Sequence, residues 1–233
     1  MNKEDILVCI TNHNSNENAI ELKKNFSKYL DTIIIDSKSS IIEDEFDVKL
    51  GNVYYTGLFN ESVNQCRLKN KKYLFFIASD VFFYDYEKTV ELIESLGDDI
   101  YLWSPSSKGQ SHTHCKNNSS GGLREVPYLE GFCFMTHIDC CEMLYPISLE
   151  RNLFGYGIDL LLGYSCVKLQ KKKCVIDDRL EIYHKEGTGY SQNKALQDMY
   201  NWMGNDFDLS VREYTILYSR VPGHTKLLEH LKL

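Results

Sequence analysis

The sequence predicts an α/β fold: a single domain with a mostly parallel sheet, flanked by helices, and with further helices at the C-terminus. Short apolar runs of strand length alternate with longer stretches of helical periodicity. The runs lack polar alternation, which is typical of strands buried on both faces of a parallel sheet. Strands separated by helices also favour parallel order, because a crossover helix returns the chain to the same end of the sheet. The predicted strands lie at residues 6–10, 32–35, 73–77 and 100–103, and the predicted helices at 16–30, 58–70 and 86–96.

The second half of the chain continues this alternation after a long polar segment. Its predicted strands lie at 132–135 and 180–184, and its predicted helices near 138–145 and over 158–169, 191–204 and 209–231. We therefore expect the main domain over residues 1–190. Residues 191–233 are expected to form a helical extension packed on that domain.

Residues 104–124 differ in composition from the rest of the chain. They are rich in Ser, Gly, Asn and His and contain almost no large apolar side chain. Loops of that length within compact domains are often lids or binding loops, so we expect a mobile surface loop here. His112, His114 and Cys115 could bind zinc, but no fourth ligand stands at a suitable spacing, and a polar loop is the favoured interpretation.

Composition and charge exclude several classes of function. The chain has 233 residues and a formal net charge of −7, which disfavours a non-specific nucleic-acid binder. No apolar run reaches the roughly 20 residues needed to cross a bilayer, and the first residues lack the pattern of a signal peptide. Eight cysteines without a C-x-x-C pair are typical of buried, reduced thiols. We expect a cytoplasmic protein, with peripheral contact at the inner face of the membrane left open.

Polar side chains follow three of the predicted strands, at residues 11–14, 36–39 and 79–80. In open parallel sheets the ligand site lies beyond the carboxyl ends of the strands. We therefore expect these three segments to meet at one rim of the sheet.

Three ionisable residues are candidates for chemistry. Asp80 follows a buried strand and His184 ends a later one, so both can reach a metal ion at the rim. Asp159 follows a glycine-rich turn at the start of a helix, where the helix dipole is expected to favour its ionised form. The alternative for each aspartate is a turn former or helix cap.

The order of these residues resembles glycosyltransferase family 2, the large inverting class with the GT-A fold. Five segments carry the resemblance, in the order of the family: the first strand and nucleotide loop (6–14, ILVCITNHN), the second strand and acidic turn (33–39, IIIDSKS), the helix with an Asn before the metal motif (62–80), the acceptor-side strand (126–135, VPYLEGFCFM), and the segment with the catalytic acid and a terminal histidine (153–184). The match covers residues 6–190. The stretch GYGIDLLLGYSC also resembles bacterial galactofuranosyltransferase-like enzymes.

This resemblance implies a nucleotide-sugar donor, with UDP as the expected nucleotide, and Mn²⁺ or Mg²⁺ as the cofactor. Asp80 and His184 would hold the metal ion, which stabilises the negative charge on the departing diphosphate. The donor-binding residues implied by the family pattern are Thr11, His13, Asp36, Asn64, Ser79 and Asp80.

The resemblance further implies an inverting transfer to an acceptor hydroxyl. Asp159 would be the general base that takes the hydroxyl proton during attack on the anomeric carbon from the opposite face. The acceptor would be a glycan or lipid-linked glycan, bound by Glu130, Gly131, Tyr156 and Gly157. Bacterial surface polysaccharide or lipopolysaccharide biosynthesis is the usual setting of such enzymes, and a homodimer remains open.

Two departures from the family pattern keep other functions open. The usual D-x-D or D-D metal motif is Ala78-Ser79-Asp80 here, and the usual Glu-Asp pair is Ile158-Asp159. A sugar-nucleotide-binding module without catalysis is therefore one alternative. A nucleotidyltransferase is another, although it would usually carry a Gly-rich basic loop at residues 11–14. A glycoside hydrolase would need two carboxylates flanking one bond and no nucleotide site.

Overall fold

Four parallel strands form the first half of the sheet. They are β1 (Ile6–Asn12), β2 (Asp31–Ser37), β3 (Val48–Leu50) and β4 (Tyr73–Ala78), in the spatial order β3-β2-β1-β4. The computed structural model describes residues 1–107, 112–185 and 190–207. Helices α1 (Asn16–Phe26) and α2 (Tyr54–Leu68) connect these strands as crossovers, as the alternation in the sequence predicts.

The second half of the sheet is mixed. β8 (Cys133–His137) runs antiparallel between β4 and β6 (Ile100–Ser107), and β9 (Lys173–His184) runs parallel to β6. Two short strands, β5 (Val81–Phe82) and β7 (Leu123–Glu125), pair antiparallel with β9. β1, β2, β3, β4, β6 and β9 thus share one direction, so the predicted α/β class with a mostly parallel sheet is confirmed.

The continuous apolar strands contribute side chains to two separate hydrophobic cores, one on each face of the sheet. In β1, Leu7 and Cys9 point to one core and Ile6, Val8 and Ile10 to the other, because successive side chains of a strand alternate between faces. Helices α1 and α3 (Tyr86–Glu94) cover the second core, while α2, α4 (Ile158–Tyr164) and α5 (Gln192–Asp206) cover the first.

Several predicted boundaries are wrong. The helix expected near 138–145 is a single 3-10 turn at Ile138–Cys141. The helix expected over 158–169 keeps those bounds, as α4 followed by a π turn at Ser165–Leu169. The strand expected at 180–184 begins at Lys173. The helix expected over 209–231 lies outside the described residues.

The surface loop expected over residues 104–124 is corrected in part, because its two ends lie in β6 and β7. Ser104 to Ser107 are buried in β6, and Cys115 has no exposed surface. Arg124 donates from Nε to Oδ2 of Asp178 over 2.5 Å, and Asn117 donates to Ser106 Oγ. Several polar side chains of this segment pair with one another or with Asp178, while residues 118–121 stay exposed, and composition alone does not reveal this pairing. Residues 108–111 lie outside the described part.

The cysteines and helices add two observations. All eight cysteines are buried free thiols, as expected. Within the described part of the chain, no helix is both long and apolar enough to cross a membrane.

Candidate active site

The carboxyl ends of β1, β2 and β4 bring three polar segments together. Asn12 is in register with Asp36, and Thr11 is in register with Ala78. The backbone N–H of Ser79 donates to the carbonyl oxygen of Thr11 over 2.9 Å. Ser79 itself is buried, with 5% of its surface exposed. The rim predicted from the strand ends therefore exists in the structure.

Asp36 lies beneath this rim and has no exposed surface. Its Oδ1 accepts hydrogen bonds from Asn12 Nδ2 (2.8 Å) and Ser39 Oγ (2.5 Å), and its Oδ2 accepts one from the Ser39 N–H (2.9 Å). Asp36 thus ties the β1 loop to the β2 loop. In this structure it shapes the rim from below, instead of presenting its carboxylate at the surface.

His13 is exposed at the same rim in a defined orientation. Its Nδ1 lies 2.6 Å from the Ser37 carbonyl oxygen, and its Nε2 lies 3.1 Å from Asn14 Nδ2. A carbonyl only accepts, so Nδ1 carries the proton and Nε2 accepts from the amide. This pairing assigns the neutral imidazole tautomer and fixes the ring plane. Thr11 is 6% exposed and donates its hydroxyl to the Ile77 carbonyl.

Asp80 and His184 meet at the junction of β4, β5 and β9. Val81 is paired with His184 in the antiparallel β5–β9 ladder, so the residue before Val81 stands beside the imidazole. His184 Nε2 lies 3.4 Å from Asp80 Oδ2, and the Lys185 N–H donates to the Asp80 carbonyl over 3.1 Å. Both side chains retain exposed surface, 34% for Asp80 and 19% for His184.

This pair fits a divalent cation bound together with its substrate. Among the described residues, no cluster of three or more His, Cys, Asp or Glu side chains has metal-binding geometry. One carboxylate and one imidazole suit Mn²⁺. Mg²⁺-type sites in nucleotide enzymes commonly use one or two protein ligands and complete the shell with phosphate oxygens and water. The Ala78 side chain cannot add a ligand.

Phe132 connects the Asp80–His184 pair to β8. Its ring stacks on the imidazole of His184, with centroids 4.0 Å apart and 8° between the planes. Its carbonyl oxygen accepts the Ala78 N–H over 2.8 Å, which joins it to the end of β4. Phe132 is 6% exposed, so it holds the imidazole against a buried wall.

Gly131, the preceding residue, holds Asp159. Its backbone N–H donates to the Asp159 carboxylate, and its carbonyl oxygen accepts the hydroxyl of Tyr55 over 2.5 Å. The Leu160 N–H donates to Asp159 Oδ1 over 2.8 Å. Residues 130–132 therefore contact the Asp80–His184 pair on one side and Asp159 on the other.

The pKa of Asp159 is raised to about 7. Burial is the largest cause, and the negative charge of Glu130 adds to it, while the N–H donors of Leu160 and Gly131 oppose it. The expectation that the helix dipole would favour the ionised form is therefore wrong, because burial outweighs the dipole and the N–H donors. α4 has seven residues, so its dipole is weak beside the desolvation of the carboxyl.

The glycine turn before Asp159 packs closely against aromatic and sulphur-containing side chains. Gly155 and Gly157 have φ of 75° and 86°, a region that favours glycine. A Cβ on Gly155 would lie 2.1 Å from Tyr55 Cδ1, and one on Gly157 would lie 2.9 Å from Met199 Cγ. Tyr156, between them, is partly exposed. The turn thus docks on α2 and α5.

Asn64 is the predicted site residue that does not reach the rim. α2 begins beside Gly131 and runs away from it, and the chain after α2 pairs with the start of β1 through Lys72 N–H and Asp5 O. Asn64 lies ten residues into α2, about 15 Å along the helix. Its amide pairs with Glu61 on the same helix.

The sequence reasoning missed three residues that organise the site. Asn12 bridges Asp36, Ser39 and Asn16, Tyr55 supports Gly131, and Phe132 supports His184. Asn12 stands in the quoted loop ITNHN, so its position was a usable signal. The aromatic roles depend on contacts between distant segments and leave no local pattern.

Comparison of the structure with known proteins identifies its fold. The mannosyltransferase PcManGT from Pyrobaculum calidifontis, solved with GDP-Man and Mn²⁺, aligns over 98% of this chain and 73% of its own, with TM-score 0.61 and 10% identity. GalNAc-T7, solved with UDP, GalNAc and Mn²⁺, aligns over 96% of this chain with TM-score 0.58 and 11% identity. S. aureus TarS (1–349) aligns over 97% of this chain and 69% of its own, with TM-score 0.54 and 9% identity.

These likenesses show that the chain has the GT-A fold. The chain spans 56% of the GalNAc-T7 chain. No protein-family model matches the sequence, and no curated protein matches it.

Proposed function

We propose that this protein is an inverting glycosyltransferase that moves a sugar from a nucleotide sugar, with UDP as the nucleotide, to a hydroxyl of a glycan or lipid-linked glycan. The observation that carries the proposal is the contact made by residues 130–132. They join a metal-suited pair, Asp80 and His184, to an acid of raised pKa, Asp159. A transfer reaction needs these two functions side by side: one at the departing diphosphate and one at the attacking hydroxyl.

The donor would lie on the rim formed by the β1, β2 and β4 ends. Thr11 and the oriented ring of His13 would flank the base, while the buried Asp36 would keep the two loops in shape. Ser79 would lie beside the phosphates. Asp80 and His184 would hold Mn²⁺ or Mg²⁺, which when bound supplies positive charge to the diphosphate leaving group.

Asp159 would accept the proton of the acceptor hydroxyl. The N–H groups of Gly131 and Leu160 hold its carboxylate in one orientation, and a pKa near the working pH suits a general base. Attack from the face opposite the departing diphosphate inverts the anomeric carbon. Glu130, Tyr156 and Gly157 adjoin this acid and would contact the acceptor, together with Gly131.

The setting of the reaction follows from the sequence resemblance. We propose a role in bacterial surface polysaccharide or lipopolysaccharide assembly. Residues 1–190 would form the catalytic unit, with residues 191–233 as an extension packed on it through contacts such as Gly157 with Met199. A homodimer and peripheral membrane contact remain part of this hypothesis.

A second candidate is a sugar-nucleotide-binding module without catalysis. The observation that favours it is Ala78, which occupies the position of the first aspartate in the D-x-D pattern and leaves a metal site with two protein ligands. Retained donor binding without turnover would support this candidate.

The test is a thermal-shift and turnover panel. UDP-GalNAc, UDP-glucose, UDP-galactose and GDP-mannose are each added with Mn²⁺, with Mg²⁺, or with EDTA, and release of the nucleoside diphosphate is measured. We expect a rise in Tm with one or more UDP sugars that requires the cation, and slow donor hydrolysis with water as acceptor. No cation-dependent shift and no nucleotide release with any donor would overturn the proposal.

A further inference from the structure

We propose that Tyr54, Tyr156 and Tyr190, backed by Phe154, form a platform that stacks against a pyranose ring of the acceptor beside Asp159. This inference rests on the proposed transferase function and deepens it, because it assigns the acceptor subsite to an aromatic surface and its ligand to a neutral sugar ring. The four residues are called the aromatic platform here.

The aromatic platform is assembled from three separate segments of the chain. The rings of Phe154 and Tyr190 are stacked, with centroids 4.6 Å apart and 26° between planes. Tyr54 meets Phe154 edge-on at 5.2 Å and Tyr190 at 6.4 Å. Tyr156 lies 6.2 Å from Tyr190, and the hydroxyl of Tyr190 donates to that of Tyr156. Phe154 is buried, whereas the three tyrosines keep part of their surface exposed.

Tyr54 adopts a backbone conformation that tyrosine disfavours. Its φ is 50°, in the left-handed region, which is strained for a non-glycine residue, and such strain is concentrated at functional sites. In this conformation Tyr54 is the first residue of α2, and its ring lies edge-on to Phe154. A purely structural start to this helix could use glycine without strain.

The aromatic platform adjoins the proposed base through one member, Tyr156, and through Tyr55, which follows the member Tyr54 in the chain. Tyr55, the neighbour of Tyr54, is near enough to Asp159 and Tyr190 that their charges add to the rise in its pKa, whose main cause is burial. Burial is the main cause of the raised pKa of Tyr156, and the negative charges of Asp159 and Glu130 raise it further. An acceptor hydroxyl presented to Asp159 would therefore bring its sugar ring against these tyrosines.

The chemistry of the aromatic platform suits a sugar ring. Many pyranoses have one face made of C–H groups, which pack against the electron-rich face of an aromatic ring. Tyrosine adds a hydroxyl at the ring edge, where it can bond the equatorial hydroxyls of the same sugar. Pockets of this kind combine apolar area for affinity with a few polar groups for orientation.

The experiment uses the full chain and three variants. Binding to an array of defined glycans is measured with UDP and Mn²⁺ present, and hydrolysis of the donors UDP-GalNAc and UDP-galactose is measured in parallel. Tyr190→Ala removes the stacked ring, and Tyr54→Gly removes the ring while relieving the backbone strain. Tyr101→Ala is the matched control, because Tyr101 stacks on His137 at 4.1 Å at the opposite end of the sheet.

We expect the wild-type chain and Tyr101→Ala to bind the same glycans. Tyr190→Ala and Tyr54→Gly should lose binding by about tenfold or more, the scale of one lost aromatic contact. Donor hydrolysis should stay within about twofold in all variants, because water needs no platform. Absence of glycan binding by the wild-type chain, or unchanged binding by both platform variants, would overturn the inference. If the wild-type chain hydrolyses neither donor, that result would instead count against the proposed transferase function.

Discussion

The backbone N–H of Gly131 donates to the carboxylate of Asp159, so the segment that leads into β8 and the start of α4 are joined at the proposed base. The next residue, Phe132, directly precedes β8 and stacks on His184. A change at Asp159 can therefore be separated experimentally from a change at the Asp80–His184 pair, since each contacts a different residue of the same segment.

The first prediction concerns Asp159→Asn. The amide keeps the size of the side chain but cannot take a proton, so turnover should fall by about 10²–10⁴-fold while donor affinity is retained. Steady-state transfer and calorimetric donor binding check this. Turnover within about threefold of the wild-type value would contradict the assignment of Asp159 as base.

The same variant reports on stability. Because burial raises the pKa of Asp159 to about 7, the folded state holds the proton over a pH range in which the unfolded chain has lost it. The carboxyl therefore costs stability as pH rises from about 4 to about 7, and that cost persists above pH 7. Asp159→Asn should raise Tm at pH 8 and leave it nearly unchanged at pH 4.

The second prediction is a pH dependence of kcat/KM. Asp159 must be ionised to act, so the rate should rise with pH and level off above a pKa near 7. Glu130→Gln removes a negative neighbour that raises the pKa of Asp159. The acid limb of the profile, the pH range over which kcat/KM rises to its plateau, should therefore move to lower pH. Glu125→Gln, at an exposed site on β7, is the control and should leave the limb in place. An unchanged limb in Glu130→Gln would contradict the coupling.

The third prediction concerns the proposed metal ligands, Asp80 and His184. Asp80→Ala should abolish the effect of Mn²⁺ on donor binding, and His184→Ala should weaken it, because each removes one of two protein ligands. Asp44→Ala, at an exposed loop position, serves as the control. Titration calorimetry of UDP with and without Mn²⁺ measures this effect. Donor affinity that is unchanged by both EDTA and Asp80→Ala would contradict the assignment of Asp80 as a metal ligand.

The fourth prediction concerns Arg124→Ala. Burial alone would raise the pKa of Asp178, but hydrogen bonds from Arg124 and Ser120 bring it below the usual value. The Asp178 side chain has no exposed surface, so loss of its partner should cost about 2–3 kcal/mol of unfolding free energy at pH 7.

The fourth prediction has a pH signature. A lowered carboxyl pKa contributes stability that is present at neutral pH and lost as pH falls through the folded-state pKa. The difference in unfolding free energy between the wild type and Arg124→Ala should therefore become smaller at acidic pH. Lys173→Ala, which breaks an exposed pair with Asp99, should change Tm little. Equal effects of the two substitutions in urea titrations would show that burial of Asp178 is unimportant.

The fifth prediction concerns Gly163→Ala in α4. A Cβ there would lie 2.3 Å from the carbonyl oxygen of Pro127 and 2.9 Å from Tyr128 Cβ. Since a backbone atom cannot give way easily, the substitution should cost about 1–3 kcal/mol and lower turnover by moving Asp159 away from Gly131. Gly204→Ala, in α5, meets nothing within 4 Å of its Cβ and should be neutral or stabilising. Circular dichroism melts and transfer rates compare the two.

Much of the fold could be predicted because its signals are local. The continuous apolar runs of β1 and β4 identify strands with both faces buried, and periodic stretches between them identify crossover helices. Parallel strand ends then bring Thr11 and Asp80 to one rim. The antiparallel position of β8 between β4 and β6 was not predictable, because pairing partners far apart in the chain leave no periodic signal.

Short-range pattern in the sequence was enough to predict the α/β class, the rim of strand ends and the candidate acids Asp80 and Asp159. The burial, position and pKa of each of these residues depend on the tertiary structure. It buried Asp36 under Asn12 and Ser39, carried Asn64 away along α2, and raised the pKa of Asp159 by desolvation. Burial, register and electrostatics are sums over neighbours from distant segments, and those neighbours exist only once the chain has folded.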